Sequence, residues 1–218
     1  MKMKYPKTMH LPWSRGYTDD DKILRNTDHF TGREVVITEK MDGENTTMYP
    51  DFIHARSLDS KDHSSRHYVK TLYGSIKYLI PEGYRLCGEN VYAKHSLSYG
   101  ALPDYYMLFS VWNKDNVCLS WDETEAWAER LGLVTVPDLY RGVWDEAAAK
   151  ACYTKQSNCG GEQEGYVVRL ASSFAYDDFK RSVAKFVRKN HVQTDEHWLS
   201  KPIEPNRLAV GEYNSKIE

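Results

Sequence analysis

At 218 residues, with 41% hydrophobic and 13% aromatic side chains, the chain can bury one sizeable core and is expected to be a single domain over 1–218. A formal charge of −2 excludes binding to nucleic acid through bulk charge, so any such surface must arise from local clustering. Four scattered cysteines without a Cys-x-x-Cys pair argue against a zinc ribbon or disulfide framework, no apolar run follows the charged N-terminus as in a signal peptide, and no stretch approaches the roughly 18 apolar residues of a membrane span, so a soluble cytoplasmic protein is expected.

Residues 1–33 are irregular and polar, with Pro6, Pro12, Gly16 and Asp19-Asp20-Asp21, and read as a lead-in covering one side of the domain, with a short helix at Lys22–Asn26. Val35-Val36-Ile37-Thr38 predicts a strand that places Val36, Thr38 and Lys40 on one face. Asp42-Gly43 then predicts a tight turn and Asn45–Tyr49 a second strand. Taken alone, the hexapeptide Lys40–Asn45 fits an ordinary Asp-Gly hairpin with a solvated lysine better than a nucleophilic lysine.

Phe52–Ser57 reads as a third strand ending in a polar loop. His63 and His67, four apart, lack a third ligand at a telling spacing and fit a solvated face better than a metal site. Tyr68–Leu79 has helical spacing and stops at Pro81 and Gly83. Tyr84–Tyr92 is a strand carrying Glu89, and Tyr105–Trp112 is apolar enough for a buried strand. Asp122 and Glu125 suggest a capping box for a helix closing near Gly132, with a second helix from about Asp145 to Cys152. Gly160-Gly161 marks a loop before the strand Glu164–Arg169, and Ser182–Arg188 is the last clear strand. The tail 190–218 holds one short helix, with Thr194 as its N-cap, through Trp198. Hairpins separated by helices predict an α+β domain of twisted antiparallel sheets flanked by helices.

Lys40, Arg56, Glu89, Glu164 and Lys185 each lie at or near a strand end in an apolar segment, where a structural charge is disfavoured. Together they suggest a polar site between sheets. The segments that carry them resemble the motifs of the covalent nucleotidyltransferases, and within these the ATP-dependent RNA ligases of small bacterial and phage type. Lys40-Met41-Asp42-Gly43 resembles the lysine motif, Ala55-Arg56-Ser57 the next and Gly88-Glu89-Asn90 the third. Leu108–Val111, Glu164–Val168 and Ala184–Arg188 resemble the last three, in the right order. Asn190–Trp198 adds to the likeness.

The resemblance implies a nucleotidyltransferase fold (the ATP-grasp-like adenylylation domain of ligases) and a three-step reaction. Lys40 would take AMP from ATP, AMP would pass to an RNA 5′-phosphate, and a 3′-hydroxyl would displace it at RNA ends or nicks, in RNA repair. It further implies that Lys185 contacts the α-phosphate, Glu164 organises metal water, Glu89 accepts the ribose hydroxyls, Phe109 stacks on adenine and Glu39 reads its edge. Arg56 would contact ribose or RNA phosphate, and Asp42 would line the nucleotide site. Glu164 and Glu89 are the candidate ligands of a magnesium or manganese ion. Two departures stand out: Val187 fills the place of a second lysine in the last motif, and Ser110 stands where aspartate is common.

A neutral Lys40 at pH 7 costs on the order of 4–5 kcal/mol, and acidic neighbours Glu39, Asp42 and Glu44 would increase that, which argues for a divalent cation. About thirty residues follow Arg188, too few for an OB barrel, so a bare nucleotidyltransferase domain without an OB domain is expected. The RNA grip would then fall to Arg56, Arg66, Lys180, Arg181, Arg188 and Lys189, with Lys70 and His191 nearby, and a protein partner could add to it. Alternatives are nick joining with relaxed DNA/RNA specificity, or a nucleotide-dependent RNA-end-binding module that needs a partner for sealing.

Overall fold

The run Val35-Val36-Ile37 builds the strand that carries Lys40, and its three side chains are fully buried. In the computed structural model, which describes residues 2–189 and 202–209, this strand, β2 (Glu34–Lys40), lies inside a five-stranded sheet. Its order is β1 (Met9–His10), β12 (Val183–Val187), β10 (Gly165–Leu170), β2, β9 (Asp138–Val143), antiparallel except for β1 beside β12. Strand alternation sends Val35 and Ile37 to a cluster with Phe30, Tyr166 and Ala149 of α3 (Glu146–Ala151). Val36 goes the other way, to Met107 and Trp121.

The second sheet has seven strands. Its path is β11 (Phe174–Ala175), β7 (Val117–Cys118), β6 (Tyr106–Trp112), β5 (Arg85–Asn90), β3 (Glu44–Met48) and β4 (Ile53–His54), with β8 (Val134–Thr135) parallel to β6. Helices α1 (His67–Ile76) and α2 (Trp121–Leu131) cover it, packing Val69, Ile76, Ala128 and Leu131 on Leu86, Leu108 and Val111. This is the expected α+β arrangement of antiparallel sheets flanked by helices, and it forms no closed barrel. Among the described residues no helix is long and apolar enough to cross a membrane.

Several local expectations are corrected. Asp42-Gly43 does not close a hairpin: β2 pairs with β9 and β10, whereas β3 pairs with β4 and β5, so the turn passes the chain from one sheet to the other. Positive φ is not what it needs either, because neither residue adopts it. The capping box lies two residues earlier, with Ser120 accepting from the Glu123 N–H and Glu123 accepting from that of Ser120 at 2.9 Å; Gly132 closes the helix with φ 64°. Lys22–Asn26 is not a helix; His10 N–H donates to Lys22 and Leu24 N–H to His10, both at 2.8 Å, which ties this segment to β1. The third strand shrinks to Ile53–His54. His63 caps the short 3-10 turn before α1, accepting from Ser65 N–H. The Thr194–Trp198 helix and the candidate motif Asn190–Trp198 lie outside the described residues.

Candidate active site

Lys40 ends β2 where the two sheets approach one another, and Gly43 makes that approach possible. A Cβ on Gly43 would stand 2.5 Å from the Asn90 carbonyl oxygen and 2.9 Å from Val91 Cγ1. Without one, the Gly43 N–H reaches a Glu89 carboxylate oxygen at 3.2 Å. The rest of the turn is pinned by Asp42, whose N–H donates to the Tyr99 hydroxyl at 2.7 Å and whose carboxylate accepts from Leu97 N–H at 2.6 Å. Beside it opens a cavity of about 440 Å³, in the size range of small-molecule sites.

The cavity brings together Lys40, Asp42, Glu89, Phe109, Glu164 and Lys185. Lys40 Nζ lies 2.7 and 2.9 Å from the two carboxylate oxygens of Glu164, which precedes β10 and is almost wholly buried. Burial pushes the Lys40 ammonium toward neutrality, but Glu164, then Glu89 and Asp42, more than offset it and raise the pKa above the ordinary lysine value. The acids facing Lys40 are therefore Glu164, Glu89 and Asp42, not its chain neighbours Glu39 and Glu44. Burial lifts the Glu89 carboxyl to about 8 against the opposing charge of Lys40. Burial, and then the charge of Lys40, push Lys185 down to about 8.

Phe109 reaches the cavity through a bulge. Cys87 of β5 pairs with Ser110 and Gly88 with Leu108, leaving Phe109 as an extra residue on β6. Phe109 and Ser110 both line the cavity, and the Arg169 guanidinium holds the Phe109 carbonyl at 3.3 Å and that of Leu119 at 2.6 Å. Glu39 lines it as well, with its carboxylate committed to the Asn158 N–H at 3.0 Å.

The expected nucleic-acid residues divide. Arg56, exposed beyond β4, and Arg66 line the cavity, with Arg66 Nε 2.6 Å from Glu44 Oε2. Lys180 and Arg181 are exposed on the short helix α4 (Phe179–Ser182), away from the cavity. Arg188 pairs with Glu162 at 2.8 Å, and neither it nor Lys189 lines the cavity. Val187, in the place of the second lysine, is fully buried.

Sequence reasoning missed the lead-in's share. Tyr5, Lys7 and Asp21 line the cavity, with Tyr5 set edge-on to Phe109 at 5.1 Å between centroids. These residues lie in a stretch with no periodicity; the only usable signal was the density of charged and aromatic residues there. Among the described residues no three His, Cys, Asp or Glu side chains form a metal cage.

The chain matches the RNA ligase family over residues 33–187. No curated protein matches it. Its fold is similar to that of the Naegleria gruberi RNA ligase with pyrophosphate, with a TM-score of 0.55 at 17% identity over 74% of this chain and 51% of that one. An apo form of a point mutant of that ligase gives 0.57 at 16% identity, over 85% of this chain and 57% of that one. A mutant with AMP and Mn gives 0.55 at 16% identity, over 86% and 62%. The chain thus spans between half and two thirds of the length of these relatives. With the family matched across most of its length, from the start of β2 to the end of β12, the chain belongs to the RNA ligase family.

Proposed function

We propose that the protein is an ATP-dependent RNA ligase that takes AMP onto Lys40, passes it to an RNA 5′-phosphate and seals that end to a 3′-hydroxyl, in RNA repair. The observation that carries the reading is a lysine held by a buried carboxylate inside a cavity that also offers a second lysine, an aromatic face and a further acid. The family match supports the ligase class, and the ATP, AMP and Mn bound to the Naegleria gruberi ligase mutants support a nucleotide and a divalent cation as its requirements.

Lys40 is the nucleophile. In the free enzyme Glu164 above all holds it as ammonium, so it must lose a proton before attack. Glu164 fixes its direction through both carboxylate oxygens. Lys185 lies across β10 from Lys40, in register with Val167 where Lys40 is in register with Gly165, and is placed to stabilise charge developing on the α-phosphate. Glu89 accepts ribose hydroxyls, Phe109 stacks on adenine, and Glu39 with its loop reads the adenine edge.

The donor set fits a magnesium or manganese ion. Glu164, buried, and Glu89, half-buried, both line the cavity and would hold the ion through carboxylate oxygens, since one or two carboxylates with substrate phosphates and water are the usual holding set for magnesium. Bound there, the ion would screen the phosphates and reverse the acids' effect on Lys40. RNA phosphates would meet Arg56 and Arg66 at the cavity and Lys180, Arg181, Arg188 and Lys189 beyond it.

The test is multiple turnover on a nicked RNA duplex by the purified protein with ATP and magnesium. Sealing is expected. AMP transfer to the 5′-phosphate without sealing would instead favour an end-binding module that needs a partner.

A further inference from the structure

The last strand carries one lysine where a triphosphate, with about four negative charges, calls for more. Lys185 points into the cavity from β12, but Val187, two residues on, is buried, and Arg188 is taken up by Glu162. Lys40 must be neutral when it attacks. Beside a metal ion, a further side-chain cation for the phosphates would come from another element.

β1 runs parallel to β12 and sets His10 in register with Lys185, and the segment 22–24 hydrogen-bonds to His10 on its other side. Across these strands the order is Lys40, Lys185, His10 and then the strap bearing Asp21. The Asp21 carboxylate is nearly buried and lies 4.0 Å from Lys185 Nζ, 3.6 Å from Lys7 Nζ and 3.6 Å from His10 Nε2. It is fixed from behind by the Thr18 N–H and hydroxyl at 3.0 and 3.2 Å. His10 is wholly buried, its Nδ1 is 2.7 Å from the Ser14 hydroxyl, and its Nε2 has no hydrogen-bond partner among the described residues. Burial drives its pKa down to about 4, so it faces Asp21 as a neutral ring and leaves the carboxylate to the lysines. Lys7 Nζ also donates to the Asp20 carbonyl, and the side chain is half exposed at the cavity wall.

We infer that Lys7 is a phosphate-binding residue for the leaving pyrophosphate, and that Asp21 is the positioning residue that sets Lys7 and Lys185 as a pair. The inference rests on the adenylylation proposed above. As Lys40 Nζ, its proton released to solvent, forms the N–P bond to the α-phosphorus, the bond from that phosphorus to the bridging oxygen breaks, and pyrophosphate leaves with the electron pair. In-line displacement sends it away from Lys40, and Lys7 and Lys185 meet at the same Asp21 carboxylate oxygen on the cavity wall. Direct charge-assisted contacts of this kind are worth roughly tenfold or more in affinity.

The experiment compares the parent with Lys7→Met, Lys7→Arg and Asp21→Asn in three assays: formation of the AMP adduct against ATP concentration, its reversal by added pyrophosphate, and sealing of RNA ends that already carry 5′-linked AMP. Lys7→Met should raise KM for ATP by roughly tenfold and weaken the response to pyrophosphate to match, with sealing of pre-adenylylated ends unchanged. Lys7→Arg should restore most of the loss, and Asp21→Asn should shift the first two assays in the same direction. Parent-like ATP and pyrophosphate responses in Lys7→Met would overturn the inference, as would an equal loss in the sealing assay, which signals general damage. Absence of any adduct in the parent would instead bring down the adenylylation reading, and this inference with it.

Discussion

Burial moves the titration of both Glu89 and Lys185 toward neutrality within the cavity. Glu89 titrates near 8 when folded against an ordinary 4.5, so between those values the folded protein holds more protons than the unfolded chain. Its contribution is complete below about 4.5 and is lost as pH rises through about 8. Glu89→Gln should therefore gain in melting temperature over the parent as pH rises from 5 to 9; a constant difference across that range would contradict the assignment. Lys185→Ala should slow adduct formation by roughly 10²–10³-fold, the usual effect of removing a transition-state donor, as quenched-flow timing of the adduct would report. Lys40, Glu89, Glu164 and Lys185 were legible because each charge interrupts an apolar strand. Lys7, His10 and Asp21 were not, because they act from a stretch with no period, and their neighbour Lys185 is 178 residues from Lys7 in the chain.

At the scale of elements, the strand–Asp-Gly–strand pattern reads as a hairpin, and nothing local reveals otherwise. Only the pairings of β2 with β10 and of β3 with β5, both far along the chain, assign the two strands to different sheets. The requirement for glycine comes from the same pairing, since Asn90 and Val91 close over Gly43. Gly43→Ala should cost about 1–3 kcal/mol in urea unfolding, as other overpacked sites do. Gly74→Ala, in α1 with nothing within 4 Å of the new methyl, should stabilise by about 0.5–1 kcal/mol. Equal effects at the two positions would show that the close approach at Gly43 is not what constrains it. The long apolar strands were legible from composition. The two-residue strands β1, β7, β8 and β11 and the half-exposed β9 were not, because so little of each is buried in an alternating pattern.

For the whole molecule, a net charge of −2 leaves RNA binding to the placement of a few cations. Arg56 and Arg66 stand at the cavity, whereas Lys180 and Arg181 stand on α4. RNA affinity measured between 50 and 200 mM salt should fall steeply, and Arg56→Ala should make the slope shallower by about one phosphate's worth. A flat salt response would remove these residues from the RNA path. The central claim, covalent chemistry at Lys40, is tested most directly by intact mass of the AMP-free protein after incubation with ATP and magnesium, beside Lys40→Ala. One added AMP is expected on the parent, removed by pyrophosphate, and none on the variant. No adduct on the parent, or one that persists in Lys40→Ala, would contradict it.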